Sequence, residues 1–297
     1  MQYVITGSLG HVGKPLVEKL SSVGHSVTVV SSKAERAAAI EALGAKAAIG
    51  TVEDKAFLAR TFKGADAVFT LVPPQVGAAD WKHYIAGIGE HYASAILTAG
   101  VKNVVNLSSI GAHMPEGCGP VSGLHFVEKT LNALDNVSVR HLRPGFFYTN
   151  FLASIGMIKQ AGVIGGNYGQ DSTLVLVHPS DIADAAAEEL TKLSFKGKSI
   201  RYIVSDEKTT HEIASILGKA IGKPDLKWVD HTDEETLNGM LQSGMPEETA
   251  RNYVEMGAAM RSGEMVSEYL IHRPVALSGK IRLEEFGPAF AASFAQS

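Results

Sequence analysis

Short runs of β-branched residues alternate along the chain with segments whose apolar positions recur every three or four residues. Residues 3–6 form a buried-strand run; Val12, Leu16, Leu20 and Val23 then repeat at helical spacing until Gly24 stops them. SVTVV at 26–30 predicts a second strand. Residues 33–43 predict an Ala-rich helix ended by Gly44, and residues 46–49 a third strand. A helix over 57–62 precedes a fourth strand, 67–72, which Pro73 and Pro74 close. WKHYIAGIGEHYASAILTAG reads as a long helix and KNVVNLSS as a fifth strand. FVEKTLNAL is a helix again, and SVRHL a sixth strand running into Arg143 and Pro144.

Strand and helix alternate six times with short connections, and parallel strands need such crossovers. The pattern therefore predicts an α/β fold, a doubly wound parallel sheet. After Phe151 the alternation loosens. HPSDIADAAAEELTKL predicts a helix with Ser180 or Asp181 at its N-cap, SIRYIVS a strand, THEIASILGKAIG a helix that Thr210 caps, and DLKWVD another strand. The remainder reads as mostly helical and rich in Met, Tyr and Phe, with Met and Tyr spread through MPEETARNYVEMGAAMRSGEMVSEYL, and such side chains could wall an apolar pocket. This organisation divides the chain into a nucleotide-binding domain, 1–150 plus about 172–206, and a smaller substrate-binding domain, about 151–171 and 207–297. The second leans on the carboxyl edge of the sheet, where ligand crevices form in such folds.

The turn between the first strand and first helix, TGSLGHVG, spaces Gly7, Gly10 and Gly13 three apart. Gly7 permits a sharp turn, Gly10 lets the backbone approach a pyrophosphate, and Gly13 lets the helix pack on the strand. The helix's free N–H groups and dipole favour the anion, and Pro15 is tolerated in the first turn. The spacing differs from G-x-G-x-x-G, and GHVGKP lacks the Ser or Thr that follows Lys in a Walker loop. The βαβ context nonetheless makes dinucleotide binding the reading. At the end of the second strand, where NAD-specific sheets carry an acid, stand Ser31, Ser32 and Lys33, with Arg36 one turn on and Glu35 blurring the charge. Hydroxyls and an ammonium there favour the 2′-phosphate of NADP(H) over NAD(H).

Composition narrows the partners. The formal net charge is −4, which gives no reason to expect nucleic acid. The single cysteine, Cys118, excludes an intrachain disulfide and a cysteine-based metal site and suits a reducing cytoplasm. No apolar run reaches the roughly 18 residues of a membrane span. The first residues lead straight into a strand with no signal-peptide pattern. The 11 histidines form no H-x-x-x-H pair with a carboxylate base, so no metal is expected.

By its motifs the chain resembles the NmrA-like, atypical short-chain dehydrogenases. The likeness spans most of its length and rests on GSLGHVGKPLVEKL, FKGADAVFTLVPP, VVNLSSIGA, HLRPGFFYTNF and VHPSDIADAA. It implies a Rossmann-type sheet holding NAD(P). Gly7, Ser8, Leu9, Gly10, His11 and Val12 would hold the pyrophosphate. Ser31, Ser32 and Lys33 would surround the adenosine ribose, and Leu71, Val72 and Pro73 the middle of the cofactor. Ser108 and Ser109 would lie near the nicotinamide ribose, and Gly145, Phe146 and Phe147 beside its ring. The family includes quinone and dye reductases, isoflavone-reductase-like enzymes, and regulators that bind NAD(P) without known catalysis.

Typical short-chain dehydrogenases use a Tyr-x-x-x-Lys pair to move a proton, and no such pair stands in the equivalent region. His125 and Lys129 share a helix face, and in family terms His125 falls near where isoflavone-reductase-like members carry a lysine. It is the candidate proton donor. Tyr148 and Asn150 are candidate substrate contacts. Tyr84 and Tyr92 read as packing, His83 and His91 as solvated, His178 as structural, and the acids at 233–235 as a helix start. The expected function is NADPH-dependent reduction of an apolar or aromatic acceptor, quinone-like, a conjugated carbonyl or a dye. The alternative is a non-catalytic, NAD(P)-binding redox sensor; an NAD-using isomerase would need a positioned acid or base.

Overall fold

The computed structural model describes residues 1–273 and 276–297. Seven parallel strands form the central sheet in the order β10-β6-β5-β4-β1-β2-β3. These are β1 (Gln2–Ile5), β2 (Ser26–Ser31), β3 (Lys46–Ile49), β4 (Ala67–Leu71), β5 (Asn103–Leu107), β6 (Ser138–Pro144) and β10 (Lys198–Ile203). The first six are those the alternation predicts, and β10 is the strand predicted from SIRYIVS.

The pleat sorts side chains onto two faces. Tyr3 and Ile5 of β1 pack with α1 (Gly13–Ser22), α2 (Ala37–Glu41) and α7 (Pro179–Lys192) through Leu16, Ile40 and Ile182. Val4, between them, packs with α3 (Lys55–Phe62), α4 (Trp81–Ala99) and α5 (Pro120–Asn132) through Leu58, Ile88 and Val127. Burying each such aliphatic side chain contributes roughly 1.5–3 kcal/mol. A sheet covered on both faces has open ground only at its strand ends.

The rest of the chain collects there. Two small sheets accompany the helices: β7 (Phe146–Phe147), β9 (Thr173–Val177) and β11 (Asp206–Thr209) in the order β11-β9-β7, and β8 (Val163–Gly166) with β12 (Lys227–Asp230). Around them pack α6 (Ile155–Ala161), α8 (Thr210–Ala220), α9 (Asp233–Gln242), α10 (Glu247–Ser262), α11 (Ser267–Ile271) and α12 (Leu283–Gln296). β12 is the strand predicted from DLKWVD, and the described elements after it are helical as expected, whereas β7, β8, β9 and β11 are not anticipated in the sequence. TLVLV of β9 is buried on both sides and carries no alternation to mark it, while DEKT of β11 is polar and is a strand because it pairs with β9.

Two helix starts also differ from expectation. The N-cap of α7 is His178, whose Nδ1 accepts from the Ser180 N–H at 3.1 Å. Asp181 is instead buried, accepting from Ser205 Oγ at 2.7 Å and from the backbone N–H groups of Lys280 and Ile281. It thereby straps the C-terminal segment to the sheet. Thr209, not Thr210, caps α8, in a capping box with Glu212.

Candidate functional site

The site begins at the turn after β1. Gly7 has φ +90° and Ser8 φ +59°, and a Cβ on Gly7 would lie 2.8 Å from Leu71 Cδ2. Glycine there is demanded by both backbone and neighbour. A Cβ on Gly13 would run into the Ser8 carbonyl oxygen, so the helix start packs directly on the turn. Gly10 is under neither constraint. It is outside the left-handed region, it is exposed, and the nearest atom to an added Cβ would be the Gly7 oxygen at 3.8 Å. The fold leaves that space open, as close approach of a pyrophosphate requires. Val12 occupies the N-cap of α1 without a side-chain cap, and the helix has no acid in its first turn. The helix end therefore suits an anion. Leu9 packs against the core, whereas His11 is exposed on the turn.

Thr6 and Tyr92 fasten this turn to β4. Thr6 Oγ1 accepts the Leu71 N–H at 2.8 Å, and the Tyr92 hydroxyl donates to the Leu71 carbonyl at 2.6 Å. Burial pushes the Tyr92 phenol far up, so it stays a donor. Leu71 thus backs the glycine turn.

At the end of β2 the arrangement differs from the sequence expectation. Ser31 is buried, and its Oγ accepts from Ser8 Oγ at 3.0 Å and from the Lys33 N–H at 3.3 Å, so its hydroxyl is committed to the protein. Ser32 and Lys33 are exposed. Arg36 comes back over the turn, its Nη1 donating to Ser8 Oγ at 3.0 Å. Among the described residues Arg36 has no carboxylate partner within salt-bridge distance. A guanidinium held over this turn with its charge unpaired can meet a phosphate.

A cleft of about 280 Å³ opens at the carboxyl ends of β4, β5 and β6. Val72, Pro73, Ser108, Ser109, Gly145, Phe146 and Phe147, expected as nucleotide contacts, and Asn150, expected as a substrate contact, line it. Gly145 has no room for a side chain, since a Cβ would lie 2.5 Å from the Val175 oxygen. Trp81, Ile85, Val121, Leu124, Met256 and Met265 complete the walls. They come from α4, α5, α10 and the turn Glu264–Val266. Met256 and Met265 belong to the Met-rich C-terminal segment read as a pocket wall, whereas the apolar helical spacing of Trp81, Ile85, Val121 and Leu124 gives no sign that they face a ligand rather than the core. No lining residue carries a charge.

Leu71, predicted beside Val72 and Pro73, backs the glycine turn instead of lining the cleft, and the candidate proton donor and one candidate substrate contact are not brought to it. His125 is half-buried with Nδ1 3.0 Å from the Ala112 carbonyl, turned to the loop after β5, while Val121 and Leu124 of its helix take the lining positions. Tyr148 is fully buried, donates to the Ile281 carbonyl at 3.0 Å, and packs against Phe286. Burial pushes its phenol well up.

Two buried polar networks lie behind the cleft. Ser108 Oγ donates to Glu128 Oε1 at 2.5 Å, and Arg143 grips the same carboxylate through Nε (2.9 Å) and Nη2 (2.7 Å). Burial alone would raise the Glu128 carboxyl, but the bonds from Arg143 and Ser108 hold it below the ordinary range. Beside them, Thr70 donates to Asn106 Oδ1 at 2.9 Å, and Asn106 Nδ2 lies 3.1 Å from His141 Nδ1. His141 Nε2 meets Asn132 Oδ1 at 2.9 Å. Burial lowers the His141 imidazole to about 4, leaving it neutral. Neither cluster of buried polar residues was singled out as such in the sequence, because their partners come from separate strands and helices.

Comparison with known proteins fits this geometry. The NmrA-like family model matches residues 2–268. The (4-alkanoyl-5-oxo-2,5-dihydrofuran-3-yl)methyl phosphate reductase of Streptomyces griseus is 25% identical over 264 residues, 89% of each chain. An NADPH-dependent quinone oxidoreductase of Escherichia coli, complexed with NADPH, superposes with TM-score 0.79 at 22% identity, covering 97% of this chain and 99% of that one. The triphenylmethane reductase of a Citrobacter species, complexed with NADP(H), gives TM-score 0.79 at 20% identity over 97% and 99% of the two chains. Among the described residues no helix is long and apolar enough to cross a membrane.

Proposed function

This chain belongs to the NmrA-like family, and from that premise we propose that it is an NADPH-dependent reductase of uncharged, planar, conjugated acceptors such as quinones and enones. One observation carries the reading: the phosphate turn and an uncharged, largely apolar cleft share the carboxyl edge of one sheet, where a dinucleotide on the turn reaches the cleft. The NADPH- and NADP(H)-bound structural relatives support the choice of nucleotide, as do Arg36 and Lys33 at the end of β2. The Streptomyces relative is named for a phosphate-bearing substrate; here no lysine, arginine or histidine lines the cleft, which favours a neutral acceptor.

The nucleotide, when bound, supplies a hydride. The chain's own residues do the rest. Gly10 and the start of α1 receive the pyrophosphate, Arg36 the 2′-phosphate, and Phe146, Phe147, Trp81 and the methionines exclude water and hold a flat acceptor. With His125 turned to Ala112 we assign it no proton transfer; solvent protonates the reduced oxygen. A reducing cytoplasm suits the lone, buried Cys118.

The test is consumption of NADPH and of NADH with a panel of quinones, enones and cationic dyes. Turnover with NADPH at least about tenfold above that with NADH is expected. Absence of turnover with every acceptor would overturn the reading. The missing proton-transfer group at the cleft favours, as second reading, a redox sensor; tighter binding of one redox state of the nucleotide without turnover would identify it.

A further inference from the structure

Met256 and Met265 close one side of the cleft, and both come from the last third of the chain. The short turn bearing Met265 runs into α11, which buries only Tyr269 while Leu270 and Ile271 are 54% and 78% exposed. Met265 and Tyr269 are themselves buried in an apolar cluster with Ile110, Val121 and Val175. A polar tie adds to that packing. Glu268 accepts from Arg143 Nη1, and the Arg143 side chain is only 5% exposed. The same Nη1 reaches the Tyr202 hydroxyl at 3.2 Å, and the guanidinium's other face holds Glu128, which holds Ser108. Ser108 lines the cleft floor. One continuous set of charge-assisted bonds thus runs from the floor, through Glu128, Arg143 and Glu268, to the helix that follows the Met265 wall.

The other ties are lesser. His113 Nε2 meets Ser267 Oγ at 3.1 Å, His113 Nδ1 lies 3.5 Å from Glu268, and Tyr269 donates to Glu207 at 2.7 Å. Lys82 pairs with Glu255 of α10 at 2.6 Å, but both are about one-third exposed. A pair exposed by a third on both sides adds little to stability, whereas a buried arginine bridging two carboxylates fixes geometry even though Glu268 itself is 29% exposed.

We propose that Glu268, through Arg143, is a positioning residue that holds the Met265 wall against the cleft floor and so sets acceptor affinity without touching the acceptor. The proposal rests on the reductase reading above. Glu268→Gln keeps size but removes the charge, and leaves Arg143 with Glu128, so the fold is retained. The expected result is a KM for acceptor raised roughly tenfold, with kcat and the Kd for NADPH within about twofold of the parent. Met265→Ala raises KM likewise, and the double variant is no worse than Met265→Ala alone. An unchanged KM in Glu268→Gln, or effects that add in the double variant, would overturn the proposal.

Hydrogen exchange of the acceptor-free protein provides an arm independent of turnover. In Glu268→Gln the amides of residues 256–271 exchange faster while those of β4, β5 and β6 do not change. Unchanged protection in 256–271 overturns the latch whether or not the enzyme turns over. If the parent oxidises no NADPH with any acceptor, the reductase reading fails while the exchange result still decides the latch.

Discussion

Gly13 cannot take a side chain without displacing the Ser8 carbonyl, and Gly7 cannot without leaving its positive φ and striking Leu71. Gly10 can accept one as far as the protein is concerned. The sequence assigns the three glycines a sharp turn, a phosphate approach and helix packing; in the structure the fold itself requires Gly7 and Gly13 and leaves Gly10 unconstrained. Gly10→Ala is therefore expected to unfold at a parent-like urea midpoint yet bind NADPH at least about tenfold more weakly, because a methyl occupies the approach to the phosphate. Gly13→Ala is expected to lose roughly 1–3 kcal/mol of stability or more. Urea titration alongside nucleotide titration separates the two; a Gly10→Ala variant that binds NADPH like the parent would remove the pyrophosphate from this turn. The same scale explains what remained illegible. Ser31 is expected from the sequence to contact a ribose, but its hydroxyl is bonded to Ser8, whose positive φ residue type alone does not announce.

Among the elements, those whose pattern is periodic were legible and those defined by a partner were not. The six parallel strands carry β-branched apolar runs and their crossover helices period-3.6 signals long enough to read, and all appear. DEKT of β11 has no such signal, because its strand state is a property of pairing with β9. Polar contacts between elements are equally silent in the sequence. His141 of β6, Asn106 of β5, Thr70 of β4 and Asn132 of α5 form one chain of bonds, with the imidazole neutral and donating from Nε2 to Asn132. That chain has a pH signature. An unfolded imidazole takes its proton near about 6.5, and the folded one only near about 4. Between those values the unfolded state binds more protons, so stability falls as pH drops and levels off below the lower value. The loss is about 3 kcal/mol. His141→Gln presents one acceptor and one donor without titrating. The unfolding free energy of the parent minus that of the variant is expected to decline from pH 7 to 4; a flat difference would show that His141 is not the buried neutral link assigned to it.

For the whole molecule, the proposed reductase activity would have to discriminate acceptors without a charged residue at the cleft. Its formal net charge is −4, so an anionic acceptor meets a weak long-range repulsion as well as the cost of losing water in an uncharged pocket. The two effects differ in reach. Repulsion across the molecule is screened over about 10 Å at 0.1 M salt, whereas desolvation inside the cleft is not. The buried charges nearest the floor, Glu128 and Arg143, already satisfy each other and offer nothing to a new anion. A neutral quinone is therefore expected to show kcat/KM at least about tenfold above that of its sulfonated counterpart, a difference of roughly 1.4 kcal/mol or more in transition-state binding. Raising salt from low to moderate concentration should narrow the gap only slightly. If salt abolishes it, the discrimination belongs to the molecule's overall charge and the cleft does not select. If the sulfonated compound is preferred, a cation must reach the acceptor from outside the present lining, and the uncharged-acceptor reading fails with it.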